Sequence, residues 1–333
     1  FFIFLITEKY SYKLSNGLLL DKDFNKPQAF HDRPISRSGG FACLISLLLF
    51  IYFYYVIYEK ILYEYIYISS SLFFIGYIDD MKIKISPNTR LILMIFFLIF
   101  FINFLSIQIY NLDLIFLKSW LENKIFLSLF ILLCFLFIVN GANLIDGFNG
   151  LLALNLIIIN SVLLFINLTN NHLELSFFLT GQIIILISLL LFNFPQAKIF
   201  LGDSGSYLYA MFAGGLVIFL FERNPELPTL LSMVILAYPI TEMLFSIIRK
   251  ILSNYSPLKP DTKHLHHLIF NLIKGSSKFK NNVASLLMLP ICLIPLILTY
   301  YSINYSMVYN FYKFLIFVSI YLAIYFILTL KKG

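Results

Sequence analysis

The chain has 333 residues, of which 60% are hydrophobic, 18% aromatic and 12% charged. Soluble proteins carry about 25% charged residues, so this composition excludes a soluble enzyme and predicts a membrane protein. The net charge of +7 comes from basic residues that alternate with apolar runs and form no basic domain or arm. This distribution excludes nucleic-acid binding and indicates loop charge that faces one leaflet of a bilayer.

Apolar runs bounded by charged residues, Pro, Gly or Asn predict ten membrane-spanning helices, because about 20 apolar residues cross a bilayer. Phe1–Ile6 is apolar and lacks a methionine, which predicts the end of an eleventh span whose beginning is absent. Residues 1–333 are therefore predicted to form a single integral membrane domain of the all-α class. The ten spans are expected near residues 41–58, 61–78, 91–109, 125–142, 151–167, 175–192, 206–221, 229–248, 283–303 and 309–329.

Basic residues are distributed unequally between the two sides that these spans define. Alternate crossing places 19 of the 24 Lys and Arg residues on one side and five on the other. The side with the excess is expected to be cytoplasmic.

Four polar clusters interrupt the apolar pattern. Two predicted spans separate each cluster from the next, and an even number of crossings returns the chain to the same face. All four are therefore expected at the cytoplasmic face. The clusters are Asp79-Asp80, Asn140–Gly150, Phe200–Ser206 and Asp261–His267.

The acid pair Asp79-Asp80 ends a predicted span, and the basic residues Lys82, Lys84 and Arg90 follow it. Neighbouring helical residues point about 100° apart, so one acid can face a cation while the other accepts a proton. Acids beside bases favour a site for phosphate and metal. The alternative is a solvated helix end.

Polar side chains recur about every three residues at Asn140, Asn143, Asp146 and Asn149, so a helix end brings them to one side. Gly150 and the other glycines of this run permit tight turns and a close approach of the backbone to a ligand. A plain helix terminus with Asn and Gly caps is the alternative.

Asp203 precedes small residues that are predicted to begin a helix. Its carboxylate is a hard metal ligand, and the free amides of a helix N-terminus suit phosphate oxygens. A turn capped by an Asp is the alternative reading.

His264, His266 and His267 lie within four positions of one loop. This spacing matches neither zinc fingers nor the His-Glu-x-x-His of metalloproteases, and the oxygen donors elsewhere favour Mg²⁺ or Mn²⁺ over Zn²⁺. The histidines are expected to donate to phosphate or sugar and to gain charge near neutral pH. Structural loop histidines are the alternative.

Glu242 is an acid inside a predicted span, about two helical turns before Arg249 and on the same face. Acids within membranes usually serve function. A buried polar contact with a neighbouring helix is an equal alternative at this point.

Together these motifs resemble the polyprenyl-phosphate N-acetylhexosamine-1-phosphate transferases, the superfamily of the phospho-MurNAc-pentapeptide translocase and the GlcNAc-1-phosphate transferases. The resemblance covers nearly the whole chain, and the His-x-His-His form is similar to the GlcNAc-1-phosphate transferase branch. The motifs are Pro34-Ile-Ser-Arg37-Ser-Gly39-Gly40, Asp79-Asp80, Asn143-x-x-Asp146-Gly, Asn193-Phe-Pro195 ahead of Phe200-Leu-Gly-Asp203-Ser-Gly-Ser, and Pro260-Asp261-x-x-His264-x-His266-His267.

The resemblance implies a bacterial inner-membrane enzyme of about eleven spans with a cytoplasmic active site. Such enzymes transfer a sugar 1-phosphate from a UDP-sugar to undecaprenyl phosphate, with release of UMP. The sugar is left open, a homo-oligomer is an open option, and membrane lipid is the surrounding partner. A non-catalytic relative that binds UDP-sugar or prenyl phosphate, and a transporter of lipid-linked substrate, are the alternatives.

The resemblance also implies roles for individual residues. Asp203 would bind Mg²⁺, with Mn²⁺ as the second choice. Asp79 and Asp80 would orient or deprotonate the lipid phosphate or share the metal. Asp146 would lie beside the uridine diphosphate, and the pyrophosphate or sugar would be contacted by His264, His266 and His267. The nucleotide would be bound by Asn143, Asn149, Asn193 and Phe200, with Phe200 stacked on the uracil.

Two departures from the family pattern stand out. Asn149 occupies a position where many members carry Asp, which puts a carboxylate role there in doubt. Ile83 occupies a position where some members carry Lys, and Lys82 or Lys84 is expected to substitute.

Overall fold

The computed structural model of the chain describes residues 1–22, 34–83, 85–104, 119–259, 261–301 and 307–330. Within these ranges the protein consists of helices and a single two-stranded antiparallel pairing of β1 (Leu20–Asp21) with β2 (Ile35–Ser36). The helices are α1 (Phe2–Ser15), α2 (Gly39–Tyr58), α3 (Tyr63–Ser71), α4 (Phe73–Asp80), α5 (Pro87–Phe104), α6 (Lys124–Ile145), α7 (Leu151–Thr169), α8 (Leu173–Asn193), α9 (Gly202–Arg223), α10 (Leu231–Ile235), α11 (Ala237–Leu252), α12 (Leu265–Leu272), α13 (Ser277–Tyr300) and α14 (Met307–Leu330).

Eight of these helices are long and apolar enough to cross a membrane: α2, α5, α6, α7, α8, α9, α13 and α14. Their most apolar windows have mean hydropathies of 1.6 to 2.6. Large apolar side chains such as Phe96, Leu133 and Ile184 lie exposed on their outer faces, as expected for helices surrounded by lipid. The predicted all-α polytopic membrane fold is confirmed.

Two predicted spans are broken helices, so the prediction of continuous spans there was wrong. The span at 61–78 is α3 followed by α4, and the hydroxyls of Ser69 and Ser70 donate to the carbonyl of Ile66 just before the break. Such back-bonding competes with the helical ladder. The span at 229–248 is α10 followed by α11, and Pro239 lies in the first turn of α11, where its missing N–H leaves no helical bond unmade.

The first helix extends further than the sequence predicted. The apolar run ends near residue 6, yet α1 continues to Ser15. The hydroxyl of Ser15 donates to the carbonyl of Ser11 within the added turns, at 2.7 Å. Polar residues in these turns lower the local hydropathy, so hydropathy alone did not predict that the helix continues.

Helix α9 lies at the centre of the assembly and is the most buried of the eight spans. It packs against α2, α3, α4, α6 and α7. Small residues allow this close packing: a Cβ at Gly214 would lie 2.6 Å from the ring of Phe135 on α6. The N-terminus of this buried helix carries Asp203.

Strand β2 and the residues just after it are hydrogen-bonded to the segment that leads into α9. Ser36 forms a parallel bridge with Ile199, and the amides of Gly39 and Gly40 donate to the carbonyls of Phe200 and Leu201 at 3.0 and 2.9 Å. These backbone bonds fix the first motif of the chain beside the residues that lead into α9.

Helix α11 leads to the histidine-bearing helix α12. Helix α11 packs against α6, α13 and α14, whereas α12 packs against α13 and α14. The last two helices of the described chain therefore support both.

Candidate active site

The four polar clusters meet at one end of the helix assembly, around a cavity of about 510 Å³. A cavity of this size accommodates a small-molecule ligand. The parity of the spans predicted this convergence. Seven of the predicted site residues line the cavity: Asn143, Asp146, Asn149, Asn193, Phe200, Asp203 and His267.

Asp203 faces the cavity from the first turn of α9. Its Oδ1 accepts a hydrogen bond from Nδ2 of Asn143 at 3.0 Å, and its Oδ2 lies 3.3 Å from Nη1 of Arg90. Its side chain keeps 21% of its exposed surface. The carboxylate is therefore aimed by two neighbours and still open to a ligand.

Asp80 has a different position from the other acids, because it is completely buried. Its Oδ1 accepts from the backbone amide of Asp203 at 3.0 Å. Its Oδ2 accepts from the amide and the hydroxyl of Ser204 at 2.9 and 2.6 Å. Asp80 therefore caps α9 from another helix and does not line the cavity.

The backbone around this cap requires a glycine. Gly202 has φ +76°, and a Cβ there would lie 2.6 Å from Oδ2 of Asp80. Both the dihedral angle and the space exclude a side chain at this position. The glycine is what lets Asp80 reach the helix end.

Asp146 accepts a hydrogen bond from the backbone amide of Gly202, the residue before Asp203 at the same helix end. The first amides of α9 are thus bonded to carboxylates of the protein, so the prediction that they are free for phosphate oxygens was wrong. Burial raises the pKa of Asp146 well above its usual range, and the nearby carboxylates of Asp203 and Asp80 add to the shift.

Asp79 has a different partner from its neighbour Asp80. Its Oδ2 lies 2.9 Å from Nη1 of Arg90, the same nitrogen that approaches Asp203. Arg90 lines the cavity and bridges the two carboxylates, whereas Asp79 is not among the residues that line it. The adjacent acids Asp79 and Asp80 therefore serve two different partners.

Arg37 supplies a second positive charge to the cavity wall. Its Nη2 lies 2.7 Å from Asp21, and its Nη1 lies 3.6 Å from Asp80. The sequence placed Arg37 in a motif without a role and did not single out Asp21. The position of Arg37, two residues before the paired glycines Gly39 and Gly40 that contact the start of α9, is the signal that identifies it.

The amide side chains tie separate segments together. Oδ1 of Asn193 accepts from the amide of Gly150, and its Nδ2 donates to the carbonyl of Ile199 at 2.8 Å. The amide of Asn149 donates to Oδ1 of Asn281 at 2.9 Å. Asn193 thereby holds the Asn-Gly run against the segment that carries Phe200, and Asn281 is a cavity residue that sequence reasoning missed.

Asn149 uses a donor that an Asp would lack. Its Nδ2 lies 3.4 Å from the carbonyl of Pro195 and 3.5 Å from Oδ1 of Asn282. The departure from the family pattern therefore coincides with two acceptors in the structure.

The three histidines occupy different surroundings. His264 is 1% exposed, with Nδ1 2.9 Å from Glu242 and Nε2 3.3 Å from Asp261. Both ring nitrogens of the buried His266 lack a hydrogen-bond partner among the described residues, and its ring centroid lies 4.4 Å from that of His267. His267 lines the cavity, whereas His264 and His266 do not.

His266 and His267 are uncharged in the folded chain without substrate. Burial lowers the pKa of His267 to about 3, with repulsion from His264 as the second cause, and burial lowers the pKa of His266 well below its usual value. The prediction that they gain charge near neutral pH was therefore wrong for the protein without substrate, because the sequence did not reveal their burial.

Comparison with known proteins shows similarity to one family. The sequence model of the family described as Glycosyl transferase family 4 matches residues 62–221. This part of the chain is therefore similar to glycosyl transferase family 4. The matched region contains the acid pair, the Asn-Gly run and Asp203, and the histidine turn follows it.

Curated relatives extend the comparison beyond these residues. It is 28% identical over 77% of its length to 84% of the undecaprenyl-phosphate alpha-N-acetylglucosaminyl 1-phosphate transferase of Thermotoga maritima. It is 34% identical over 39% of its length to 37% of the probable undecaprenyl-phosphate N-acetylglucosaminyl 1-phosphate transferase of Bacillus subtilis. It is 30% identical over 40% of its length to 38% of the decaprenyl-phosphate N-acetylglucosaminephosphotransferase of Mycolicibacterium smegmatis. The predicted resemblance to the GlcNAc-1-phosphate transferase branch is confirmed.

The donor set of the site suits a metal that is shared with substrate. Among the described residues, no three His, Cys, Asp or Glu side chains form a closed metal centre. Mg²⁺ commonly uses one or two carboxylates together with substrate phosphates and water. Four acids, Asp79, Asp80, Asp146 and Asp203, surround this end of the cavity. The carboxylate of Asp203, which lines the cavity and keeps 21% of its surface exposed, fits a divalent cation held jointly with a phosphate.

Two basic residues of α11 shape the loop beside the cavity. Nη1 of Arg249 lies 2.8 Å from Oδ2 of Asp261. Nζ of Lys250 donates to the carbonyls of Pro257 and Lys259 at 3.1 and 2.7 Å. Sequence reasoning gave neither residue a role at the site.

Proposed function

We propose that the chain transfers a sugar 1-phosphate, an N-acetylhexosamine 1-phosphate, from a UDP-sugar to undecaprenyl phosphate, yielding a lipid pyrophosphate sugar and UMP. The observation that carries this proposal is the joining of Asp203, Arg90 and Arg37 with the Asn-Gly run around one cavity at the end of the membrane helices. The names of the family 4 relatives, which include polyprenyl-phosphate GlcNAc-1-phosphate transferases, support the same substrate classes.

The reaction is a displacement at phosphorus. An oxygen of the acceptor phosphate attacks the β-phosphorus of the UDP-sugar, and a new P–O bond forms. The bond from that phosphorus to the bridging oxygen breaks, and the bridging oxygen leaves with UMP. Such transfer asks the protein chiefly for positioning and for neutralisation of charge on phosphate oxygens.

The residues of the cavity match these demands. Arg37 and Arg90 present guanidinium groups suited to phosphate oxygens. Asp203 would hold Mg²⁺, and the bound ion would supply further neutralisation of the pyrophosphate. Asn149 and Phe200 offer an amide and an aromatic ring to the nucleotide, and His267 offers a neutral imidazole to the phosphates or the sugar.

The membrane setting supports a cytoplasmic site in a bacterial inner membrane. The loops that carry the four clusters belong to the side with 19 of the 24 Lys and Arg residues. A soluble nucleotide donor and a lipid acceptor meet only at a membrane surface, where the cavity lies at the helix ends.

A transporter is the competing function. Transporters place substrate near the midplane, in broken helices. Glu242, the acid deepest in the apolar sequence, is bonded within the protein to His264 and Tyr321. The open polar groups lie at one end of the assembly, which favours the transferase.

Incubation of membranes containing the chain with radiolabelled UDP-GlcNAc, undecaprenyl phosphate and Mg²⁺ tests the proposal. We expect label that extracts into organic solvent and is suppressed by added UMP. Asp203→Asn membranes are the matched control and should give none. A panel of UDP-sugars extends the test, and a chain that labels lipid with none of them contradicts the proposal.

A further inference from the structure

Glu242 holds the histidine turn, residues 261–267, from within a membrane helix. Its side chain is 1% exposed, and its Oε1 lies 2.9 Å from Nδ1 of His264. Burial of an acid is unfavourable unless partners replace water. The partners of Glu242 therefore offset the free-energy cost of burying its carboxylate.

The second oxygen of Glu242 is also occupied. The hydroxyl of Tyr321, on the last described helix α14, donates to Oε2 at 2.8 Å. Tyr321 is 1% exposed. The carboxylate is thus fixed by one contact to the turn and one contact to a different membrane helix.

A second contact from α11 reaches the beginning of the same turn. The guanidinium of Arg249 binds Asp261 through two nitrogens, at 2.8 and 3.3 Å. Asp261 also lies 3.3 Å from Nε2 of His264. Glu242 and Arg249 therefore hold the turn at two points from one helix face, with the ring of His264 between two carboxylates.

The ring of His264 transmits this position to the cavity. Its centroid lies 5.6 Å from those of both His266 and His267. His267 lines the cavity, and His264 does not. A displacement of His264 would therefore move the imidazole that ligands meet.

We propose that Glu242 and Tyr321 are positioning residues, which act through His264 to hold His267 in place for the phosphates of the nucleotide-sugar donor. The proposal rests on the proposed function for the nature of the donor. Neither residue lines the cavity, so any effect on the donor passes through the histidine turn.

Tyr321→Phe and Glu242→Gln test the proposal, because the first removes the hydrogen-bond donor, the second removes the negative charge, and each keeps the shape of the side chain. We expect KM for UDP-GlcNAc to rise about tenfold in each, within the range for a lost hydrogen bond to a charged group. KM for undecaprenyl phosphate should stay within about twofold of the wild type, since the acid pair and Asp203 are untouched. Calorimetric binding of UDP-GlcNAc without acceptor should weaken by the same factor.

Tyr238→Phe is the matched control. Tyr238 is a fully buried tyrosine on α11, and its hydroxyl has no hydrogen-bond partner among the described residues. Removal of this hydroxyl should leave both KM values unchanged.

The double variant Glu242→Gln/Tyr321→Phe separates positioning from loosened packing. If both residues act through His264, the double variant should show no more than the larger single effect, whereas independent effects multiply. Wild-type donor affinity in Tyr321→Phe and Glu242→Gln, or an equal rise in both KM values, would overturn the assignment. A wild-type chain that neither binds UDP-GlcNAc nor labels lipid would overturn the proposed function and this assignment together.

Discussion

Asp80 binds the backbone amide of Asp203 at 3.0 Å, so one acid of the pair at the end of α4 fixes the helix end that presents the candidate metal ligand. Ser204 completes the contact with its amide and hydroxyl. Asp79, the neighbour of Asp80 in the sequence, instead forms an ion pair with Arg90. Adjacent identical residues therefore have separable effects on stability and on transfer.

Asp80→Asn should destabilise the protein, because the new side-chain amide would present an N–H group to donors from which Asp80 now accepts hydrogen bonds. We expect a loss of about 1–3 kcal/mol, the range for buried donors left unsatisfied. Asp79→Asn should leave thermal stability near the wild type, because Asp79 is 29% exposed and meets Arg90 at the edge of the site. Its effect should fall on transfer. Melting temperatures in detergent and lipid labelling measure the two effects, and equal melting temperatures for the variants would contradict the division of roles.

Asp203→Ala should abolish transfer and leave the protein inserted in the membrane. Loss of a preorganised electrostatic group at a reacting centre lowers rates by about 10²- to 10³-fold. Titration of Mn²⁺ by electron paramagnetic resonance, in the presence of UDP-GlcNAc, should show weakened metal binding. Ser206→Ala removes another partner of Asn143 and is the control. Normal turnover by Asp203→Ala would refute the metal assignment.

Gly202→Ala should destabilise the start of α9. The backbone at this position has φ +76°, and the new Cβ would lie 2.6 Å from the Asp80 carboxylate. We expect a loss of about 1–3 kcal/mol, as for other residues held in unfavourable backbone regions. Gly147→Ala is the control for stability, because its Cβ would meet His266 at an ordinary 3.4 Å. The melting temperature of Gly202→Ala should fall well below that of Gly147→Ala, and the reverse order would be inconsistent with this account.

Thermal stability should decrease as the pH falls below about 6.5, the usual pKa of an unfolded histidine. Burial lowers the pKa of His267 to about 3 in the folded chain, so the unfolded chain binds more protons between these two values. Each such histidine contributes about 1.4 kcal/mol per pH unit in that range. His267→Gln should flatten the profile of melting temperature against pH, and His172→Gln, outside the site, should not. An unchanged slope in His267→Gln would show that the imidazole is exposed to protons.

Hydropathy and span parity predicted the eight continuous spans and the meeting of the four clusters. These features depend on composition and on counting crossings, which a sequence contains. The break at Leu72 follows hydrogen bonds from serine side chains to the backbone, which hydropathy does not weigh. The added turns of α1 are polar, so hydropathy predicted an end that is too early.

The division of labour within the site depends on long-range contacts. Nothing local to Asp79 and Asp80 distinguishes them, because their roles are set by Arg90 and by the start of α9. For the same reason the sequence left two readings of Glu242 open, and the structure gives it His264 and Tyr321 as partners. The burial of the histidines, which sets their charge, was equally hidden.

The backbone bonds that join Gly39 and Gly40 to Phe200 and Leu201 bear on the order of biosynthesis. The motif around Gly39 and Gly40 leaves the ribosome long before Phe200 and Leu201 are synthesised, and several helices are inserted in the interval. Contacts of such sequence separation form late. The catalytic end of the protein is therefore expected to be completed only after α9 has entered the bilayer, and a nascent chain halted before this helix should be inserted yet unable to retain nucleotide.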